Sequence, residues 1–373
     1  GSYYFPAELD AQPALGEAYR QVCDQLFRSY QQLIDGCRTY LRQVYPQLEK
    51  ERDSAYSMRL GRIATDHCRA ILPAATLTNV GVTANARMLE HAISKLLSSE
   101  LAEERDLGFE IRDQGREITP TLIKYAEENA SLRKTAHRQL ELSAEMLSPR
   151  EHLLNSGGDG TICARLLDWD TQAEEKLATA LLYQNASVAY VTVRQQVADM
   201  DSVQRQGVID SCTESMGPHD APGREFELVN YTIEFLMDYG AYREFKRHRM
   251  LSYIPQMLTV AHGHSTPRVI AEAGLTNDFQ AGMDRVEQEF QNIAEFSPMV
   301  AQYLVTHAHY RRVLVQINLR ECYHLFKLRS SELAHFAIRE PILEVMKQIV
   351  DVHPQLFRNL RLRDYPEWWP FPH

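Results

Sequence analysis

The sequence YREFKRHR at residues 242–249, followed closely by Ser252, decides the fold of this chain. It comes after REFELVNYTIEFLMD (residues 224–238), whose pattern predicts a half-buried β-strand. Arg247, His248 and Arg249 place two guanidinium groups around an imidazole. Each guanidinium can give paired, charge-assisted hydrogen bonds, so the triplet suits a phosphate or a pyrophosphate. Taken alone, such a triplet is more often a solvated basic turn.

A second stretch, INLRECYHLFKLRSSELAH at residues 317–335, places several polar side chains at a predicted helix start. The alternation in RRVLVQI, residues 311–317, predicts a strand that delivers Asn318 to the N-terminus of that helix. An Asn at a helix start and an Arg two residues later can both reach an anionic or carbonyl-rich ligand. Asn318 and Arg320 are therefore candidate ligand-binding residues.

These two stretches resemble the flavin-dependent thymidylate synthases (the ThyX family). The family signature is RHR, two residues and Ser, followed by Asn-Glu and Ser-x-Arg-Tyr. Residues 247–259 read RHRMLSYIPQMLT, so the first half of the signature is intact and the second half is absent. A later family signature, Asn-x-Arg and then Leu-Arg, is met by Asn318, Arg320 and Arg329 at the same spacing.

Length and charge restrict the classes of protein to which the chain can belong. The 373 residues suggest two or three domains, and 44% apolar with 24% charged residues is typical of globular proteins. The net charge of −10 argues against nucleic-acid binding, because nucleic-acid binders present a basic face. An anionic substrate must therefore be bound by a local cluster such as Arg247 and Arg249.

Cysteines, histidines and apolar runs give further expectations. The six cysteines show no CxxC spacing, which favours free thiols and a cytoplasmic location. HGH at residues 262–264 and HAH at residues 307–309 could each present two imidazoles on one side, but acidic or cysteine ligands are lacking nearby in sequence. We therefore predict no metal site. No apolar run approaches membrane-spanning length, so we expect no membrane association.

An internal repeat organises the chain. The spacing from Arg69 to Asn85 equals the spacing from Gln302 to Asn318. In this register three polar residues match without a gap, namely Asn85 with Asn318, Arg87 with Arg320, and His91 with His324. We interpret the match as a duplication of one fold within the chain.

The repeat and the resemblance predict the domain organisation. The first ThyX-like copy spans residues 3–147 and lacks its RHR segment, which we expect to have been trimmed or processed. A linker follows at residues 148–162, and the second copy spans residues 163–373. The resemblance implies an α+β fold with a small β-sheet flanked by helices, in two copies that form a pseudo-dimer. Helices are predicted at 15–44, 57–71, 126–146 and 268–305, and a loop-rich insertion at 197–224.

The resemblance implies an enzyme that binds FAD and methylates a uracil nucleotide, in a reaction of the dUMP to dTMP type. Methylenetetrahydrofolate supplies the carbon and NADPH reduces the flavin, whose hydride chemistry side chains cannot provide. The family assembles as a tetramer, so we expect a homo-oligomer in which a dimer of tandem chains mimics that tetramer. A catalytically degenerate flavin- or nucleotide-binding assembly protein is the alternative.

The resemblance also assigns roles to residues. Arg329 matches the catalytic arginine that polarises the pyrimidine ring, where a guanidinium stabilises negative charge on a carbonyl oxygen. Arg69 matches a second nucleotide-binding arginine, and Ser252 and Glu244 join it as expected substrate-binding residues. The expected flavin contacts are Arg247, His248, Arg249, Asn318, Arg320, His324, Asn85 and Arg87.

The two arginines of the nucleotide site are divided between the copies. Only the first copy has Arg69, because the second has Gln302, and only the second has Arg329, because the first has Leu96. This division predicts one composite site that takes an arginine from each half. Ion pairs that tie helices together are the alternative role for each arginine.

The absent half of the signature changes the expected phosphate contacts. Pro255, Met257 and Thr259 stand where the family has its Glu and Ser-x-Arg, and Glu244 replaces a glutamine. These three residues cannot replace an arginine–phosphate pair, whose charged hydrogen bonds each contribute about 1.5–3 kcal/mol. Three interpretations stay open: the substrate differs, an RHR segment of the first copy completes the site, or the site is degenerate.

Overall fold

The computed structural model describes residues 2–147 and 163–372, so the predicted linker at 148–162 lies outside the described residues. The chain divides into two compact units. The first takes its residues from Gly1–Gly160 and Thr259–His309, and the second from Thr161–Leu258 and Tyr310–His373. The boundaries of the two sequence copies follow the repeat rather than this division, and they stay a prediction. None of the helices in the described ranges combines the length and apolar character that crossing a lipid bilayer requires.

The elements follow one another in this chain order. The first part contains α1 (Pro13–Val44), α2 (Asp53–Cys68), α3 (Ala86–Leu97), α4 (Ala102–Ile118) and α5 (Ala130–Met146). Next come β1 (Cys163–Trp169), α6 (Ala173–Tyr183), α7 (Tyr190–Ala198), α8 (Ser202–Thr213), β2 (Asn230–Asp238), α9 (Tyr239–Phe245) and β3 (Ser252–Pro255). The last part contains α10 (Arg268–Glu272), α11 (Thr276–Phe296), α12 (Pro298–Ala301), β4 (Tyr310–Asn318), α13 (Leu319–Arg329), α14 (Phe336–Val352) and α15 (Pro354–Phe357).

The described part of the first unit is built on helices, and α1 and α11 form its centre. The predicted helix at 15–44 is confirmed as α1, whose apolar residues at helical spacing lie on one buried face. A β-carbon at Gly282 of α11 would lie 3.0 Å from Ile71 and 3.6 Å from Leu26 of α1. The absence of a side chain at Gly282 therefore allows the two helices to pack closely.

Two short segments of the first unit pair with each other symmetrically. Ala74 N–H donates to the carbonyl of Val305 at 2.8 Å, and His307 N–H donates to the carbonyl of Leu72 at 3.1 Å. In the register that places Arg69 on Gln302, these two hydrogen bonds are equivalent, and Pro73 bridges to its own counterpart Thr306. A second equivalent pair joins Ala75 to Tyr303 and Ala308 to Ala70. Such self-complementary pairing is the pattern of a two-fold axis.

The segment at residues 77–85, which corresponds to β4 in the same register, is not a strand. Val80 and Val82 are 74% and 79% exposed, whereas their counterparts Val313 and Val315 are fully buried. The alternation of apolar residues is the same in both segments, but a strand forms only where neighbouring strands accept its hydrogen bonds. Within the described ranges, β4 has such neighbours on both edges and the segment 77–85 has none.

The second unit is organised by a four-stranded antiparallel sheet with the order β1-β2-β4-β3. β2 and β4 pair over their whole length, from Asn230 opposite Asn318 to Asp238 opposite Tyr310. Alternating residues of both strands are buried, and α14 packs on the sheet with its apolar face, including Ile342. The small sheet flanked by helices is the α+β architecture that the sequence predicts.

Several local predictions are confirmed and others are wrong. The strand at 311–317 and the helix that follows Asn318 are confirmed as β4 and α13. The strand predicted at 224–238 begins only at Asn230, because Arg224–Leu228 forms a 3₁₀ turn in which Phe226 packs against Tyr323. The loop-rich interpretation of 197–224 is wrong for Ser202–Thr213, because a capping box at Asp201 starts α8 there, whereas residues 214–223 form neither helix nor strand.

Candidate active site

His248 is buried, whereas the other two residues of its basic triplet are exposed. After α9 the chain turns, and the backbone N–H of His248 donates to the carbonyl of Phe245 at 3.1 Å. The hydroxyl of Tyr253 on β3 lies 2.6 Å from the carbonyl oxygen of His248 and fixes this turn. His248 is 4% exposed, while Arg247 and Arg249 lie on the surface. The triplet therefore presents two cations to solvent and one imidazole to the interior.

The imidazole of His248 joins two charged side chains. Its Nδ1 lies 3.0 Å from Oε1 of Glu321, and the Nε–H of Arg329 donates to its Nε2 at 3.0 Å. A guanidinium can only donate, so Nε2 must accept, and the proton of the neutral ring must lie on Nδ1, where it is donated to Glu321. Glu321 thereby fixes the tautomer of His248, and that tautomer orients Arg329.

Glu321 and Arg329 are placed by one helix. Asn318 caps α13, because its side-chain oxygen accepts the backbone N–H of Glu321 at 2.9 Å. Glu321 lies in the first turn and Arg329 at the C-terminal end of the same helix. A carboxylate near a helix N-terminus and a cation near its C-terminus are both favoured by the helix dipole.

Glu244 of α9 connects the expected catalytic arginine with an expected cofactor arginine. Its Oε1 lies 3.0 Å from Nη2 of Arg247, and its Oε2 lies 3.9 Å from Nη1 of Arg329. The Nη2 of Arg329 also donates to the carbonyl oxygen of Glu244 at 3.5 Å. The carboxylate therefore partly neutralises both cations in a place where an anionic ligand could compete for them.

The other expected site residues of the second unit have separate surroundings. Arg320 donates to Glu227 at 2.8 Å and to the carbonyl of Pro222 at 2.9 Å, so it holds the segment before β2. His324 is exposed, with its ring 5.5 Å from the ring of His248. Ser252, at the start of β3, is exposed. Of this set, His324 alone adjoins the cluster formed by His248, Glu321 and Arg329.

The expected site residues of the first unit are exposed or half-buried. Asn85 caps α3 by accepting the backbone N–H of Met88 at 3.0 Å, which repeats the role of Asn318 in the second unit. Arg87 is exposed, and the described residues place no carboxylate within 4 Å of it. Arg69 lies 3.5 Å from Asp66 in a half-exposed ion pair. These arginines are available to a ligand.

His248, Glu321 and His324 lie close enough together to raise the question of a metal ion. Both ring nitrogens of His248 already have partners, so a metal would have to displace Arg329 or Glu321. In the first unit, His264 and His309 both face Glu287, at 3.9 and 3.8 Å. There the backbone N–H of Thr306 donates to Nδ1 of His309, so Nε2 carries the ring proton and has no lone pair for a metal.

The sequence of the whole chain was compared with known protein families. The family model described as thymidylate synthase complementing protein matches residues 1–121 and 165–355. The chain belongs to this family. The expected resemblance is thereby confirmed, and the Arg329–His248–Glu321 cluster lies inside the second matched segment.

The known proteins that are similar to this chain match different shares of its length. A UPF0159 protein of Chlamydia muridarum is 28% identical over 378 residues, which cover 98% of this chain and 70% of that protein. A flavin-dependent thymidylate synthase of Geobacter sulfurreducens is 25% identical over 129 residues, covering 32% of this chain and 56% of that protein. The solved structure of the UMP/dUMP methylase PolB from Streptomyces cacaoi, bound with 5-Br dUMP, has a TM-score of 0.41 and 14% identity. The match with PolB covers 54% of this chain and 94% of the PolB chain.

Sequence reasoning missed two residues that position the side chains of this cluster. Glu321 follows Arg320 directly, and its place in the first turn of a capped helix was a usable signal. Tyr253 follows Ser252 and supports the turn that buries His248. Burial, with a smaller contribution from Glu321, raises the pKa of Tyr253 above its usual value, so its hydroxyl stays a hydrogen-bond donor.

Proposed function

We propose that this chain is an FAD-dependent enzyme that reductively methylates a uracil nucleotide, in a reaction of the dUMP to dTMP type. Methylenetetrahydrofolate would supply the carbon and NADPH the electrons. The observation that carries the proposal is the orientation of Arg329 by the buried pair of His248 and Glu321. Family membership supports the class of reaction.

Arg329 has the geometry of a group that stabilises developing negative charge. Its side chain is 19% exposed, so it is largely withdrawn from water yet still reachable. Nε is bound to His248 and one N–H of Nη2 to the carbonyl of Glu244, which leaves N–H groups on both terminal nitrogens for a ligand. A preoriented guanidinium beside a pyrimidine carbonyl stabilises the charge that appears when the ring accepts a hydride.

The exposed cations of the triplet fit the pyrophosphate of FAD. Arg249 has no carboxylate within 4 Å in the described part of the chain, and Arg247 is bound to Glu244 in a pair that is two-thirds exposed on the arginine side. Ser252 adds an exposed hydroxyl nearby in sequence. A bound flavin supplies the hydride chemistry. The protein groups would bind its phosphates, and His248, fixed inside, orients Arg329.

The composite site and the pseudo-dimer belong to the same proposal. The symmetric pairing of residues 70–75 with residues 303–308 supports two copies related by a two-fold axis. Arg69 lies directly before this pairing in the first unit and is half-exposed, which suits a residue that binds nucleotide. We also propose a homo-oligomer in which a dimer of tandem chains mimics a tetramer.

A catalytically degenerate flavin- or nucleotide-binding assembly protein is the second candidate. One observation favours it: Pro255, Met257 and Thr259 offer no positive charge where the family binds the nucleotide phosphate. This candidate retains flavin binding through Arg247 and Arg249 and lacks turnover.

Visible absorbance of the purified chain after incubation with FAD tests binding, and NADPH oxidation on addition of dUMP and methylenetetrahydrofolate tests turnover. Arg329→Ala should lower turnover by about 10²–10³-fold while the flavin stays bound. Arg249→Gln should weaken flavin binding, and the exposed Arg268→Gln is the matched control. A flavoprotein without dUMP-dependent turnover supports the second candidate, and a colourless protein refutes both.

A further inference from the structure

A groove in the first unit lies between α1 and α2, and none of the residues assigned above to the flavin or the nucleotide lines it, although Asp66 at its edge pairs with Arg69. Its cavity volume is about 820 Å³, within the range of small-molecule sites. Arg38 of α1 and Arg62 of α2 line it, together with the hydroxyl groups of Ser54 and Ser57. Ile34 provides an apolar wall.

The two arginines of the groove are not balanced by acids. In the part of the chain that the structure describes, no carboxylate lies within 4 Å of the guanidinium of Arg38 or Arg62. The acid at the groove, Asp66, lies 3.5 Å from Arg69 instead. By contrast, Arg59 of the same helix is held by Glu51 at 2.7 Å. In a chain with a net charge of −10, two uncompensated cations lining one cavity favour an anionic ligand.

Arg38 reaches across the groove onto α2. A β-carbon at Gly61 would lie 3.3 Å from Nη2 and 3.8 Å from Cζ of Arg38. The guanidinium therefore rests over the backbone of α2, next to the position that carries Arg62. The guanidinium of Arg38 therefore lies at the groove without an acidic partner among the described residues.

We propose that this groove binds the phosphate group of a small organic phosphate. Guanidinium groups give paired hydrogen bonds to phosphate oxygens, and the two serine hydroxyls can donate to the same oxygens. Ile34 and the neighbouring Met58 offer apolar contact for the organic part of the ligand. The proposal does not depend on turnover of a uracil nucleotide, because Arg329 and the basic triplet take no part in it.

Calorimetric titration tests the proposal with inorganic pyrophosphate, dUMP and deoxyuridine as probes. The titrations use the full chain carrying Arg247→Gln and Arg249→Gln, which removes the two exposed cations of the basic triplet. Pyrophosphate and dUMP should bind saturably, and deoxyuridine, which lacks a phosphate, should not. Arg38→Gln with Arg62→Gln should weaken pyrophosphate binding by at least about tenfold, the factor expected for one lost charged hydrogen bond.

Controls keep the test decisive. The exposed Arg42 of α1 does not line the groove, so Arg42→Gln should change the affinity by less than about twofold. Arg38→Lys with Arg62→Lys keeps both charges and should retain part of the binding, which separates charge loss from misfolding. The proposal is overturned if pyrophosphate gives no saturable binding, if the two glutamine substitutions leave it unchanged, or if deoxyuridine binds as well as dUMP. Arg329→Ala should lower turnover by about 10²–10³-fold and leave this binding intact, so the two proposals fail separately.

Discussion

Glu321 and Arg329 should be energetically coupled although their link runs through His248. Glu321→Gln keeps the size of the side chain but replaces a charged hydrogen bond, about 1.5–3 kcal/mol, by a neutral one, about 0.5–1.5 kcal/mol. The expected loss is therefore about 1–1.5 kcal/mol. The side chains of His248 and Glu321 are only 3% and 7% exposed, so solvent screening reduces this value little.

Arg329→Ala removes the donor to Nε2 of His248 and leaves a buried acceptor without a partner, at a cost of about 1–3 kcal/mol. The double variant loses the shared chain of hydrogen bonds only once. Its cost should therefore be smaller than the sum of the two single costs by about 1 kcal/mol, within the range of neighbouring residues.

Tryptophan fluorescence during urea unfolding measures this coupling in the second unit, which contains Glu321 and Arg329. All three tryptophans, Trp169, Trp368 and Trp369, belong to the second unit, so their signal follows the unit that contains the site. The control is the ion pair of Arg312 and Glu234, which lie 2.8 Å apart on the sheet and are more exposed. This pair should contribute at most about 1 kcal/mol to the free energy of unfolding. Additivity of Glu321→Gln and Arg329→Ala within about 0.3 kcal/mol would refute the relay through His248.

Three further predictions concern the repeated caps, pH and helix packing. Asn318→Ala removes the cap of α13, so it should cost about 1 kcal/mol and lower the urea midpoint measured by tryptophan fluorescence. Asn85→Ala is the control, and it should leave that midpoint unchanged because α3 belongs to the first unit. Burial lowers the pKa of His309, so the imidazole binds a proton more readily in the unfolded chain than in the folded chain. Stability should therefore fall as the pH drops below about 6.5, by up to about 1.4 kcal/mol per pH unit, and His309→Asn should flatten this loss in thermal melts followed by circular dichroism. A β-carbon at Gly36 would lie 2.7 Å from Leu275. Gly36→Val should therefore destabilise the first unit by about 1–3 kcal/mol, measured by the same thermal melts. An unchanged midpoint would contradict the close packing.

Local patterns explain why parts of the fold were predictable. The alternation of β4 and the polar cap at Asn318 are signals within a dozen or so residues, and both appear in the structure where the sequence places them. The 3₁₀ turn at Arg224–Leu228 was not predictable in this way, because it depends on the packing of Phe226 on Tyr323, a residue distant in sequence. Helix α8 was missed because its periodicity is weak and its start rests on a single capping box.

The sequence pointed to His248 and Arg329, which the structure joins by a hydrogen bond, but it did not give the arrangement around them. The triplet at residues 247–249 suggests three equivalent ligand-binding side chains. The turn after α9, held by Tyr253, instead separates the imidazole from the two guanidiniums. Only the pairing of strands that brings this turn beside α13 reveals Glu321 as the partner of His248. That contact joins distant segments, so no local pattern contains it.

The two halves of the family signature differ in what they do for the fold, and this explains why one half could change. The retained half supplies the buried His248 and the turn around it, so its loss would leave Glu321 and Arg329 without their common partner. In the altered half, Pro255 ends an edge strand at an exposed position, where a missing N–H is tolerated. A substitution at such a position changes stability little. Pro255 therefore contributes little to the stability of the fold, and we expect differences from the family in substrate binding around β3.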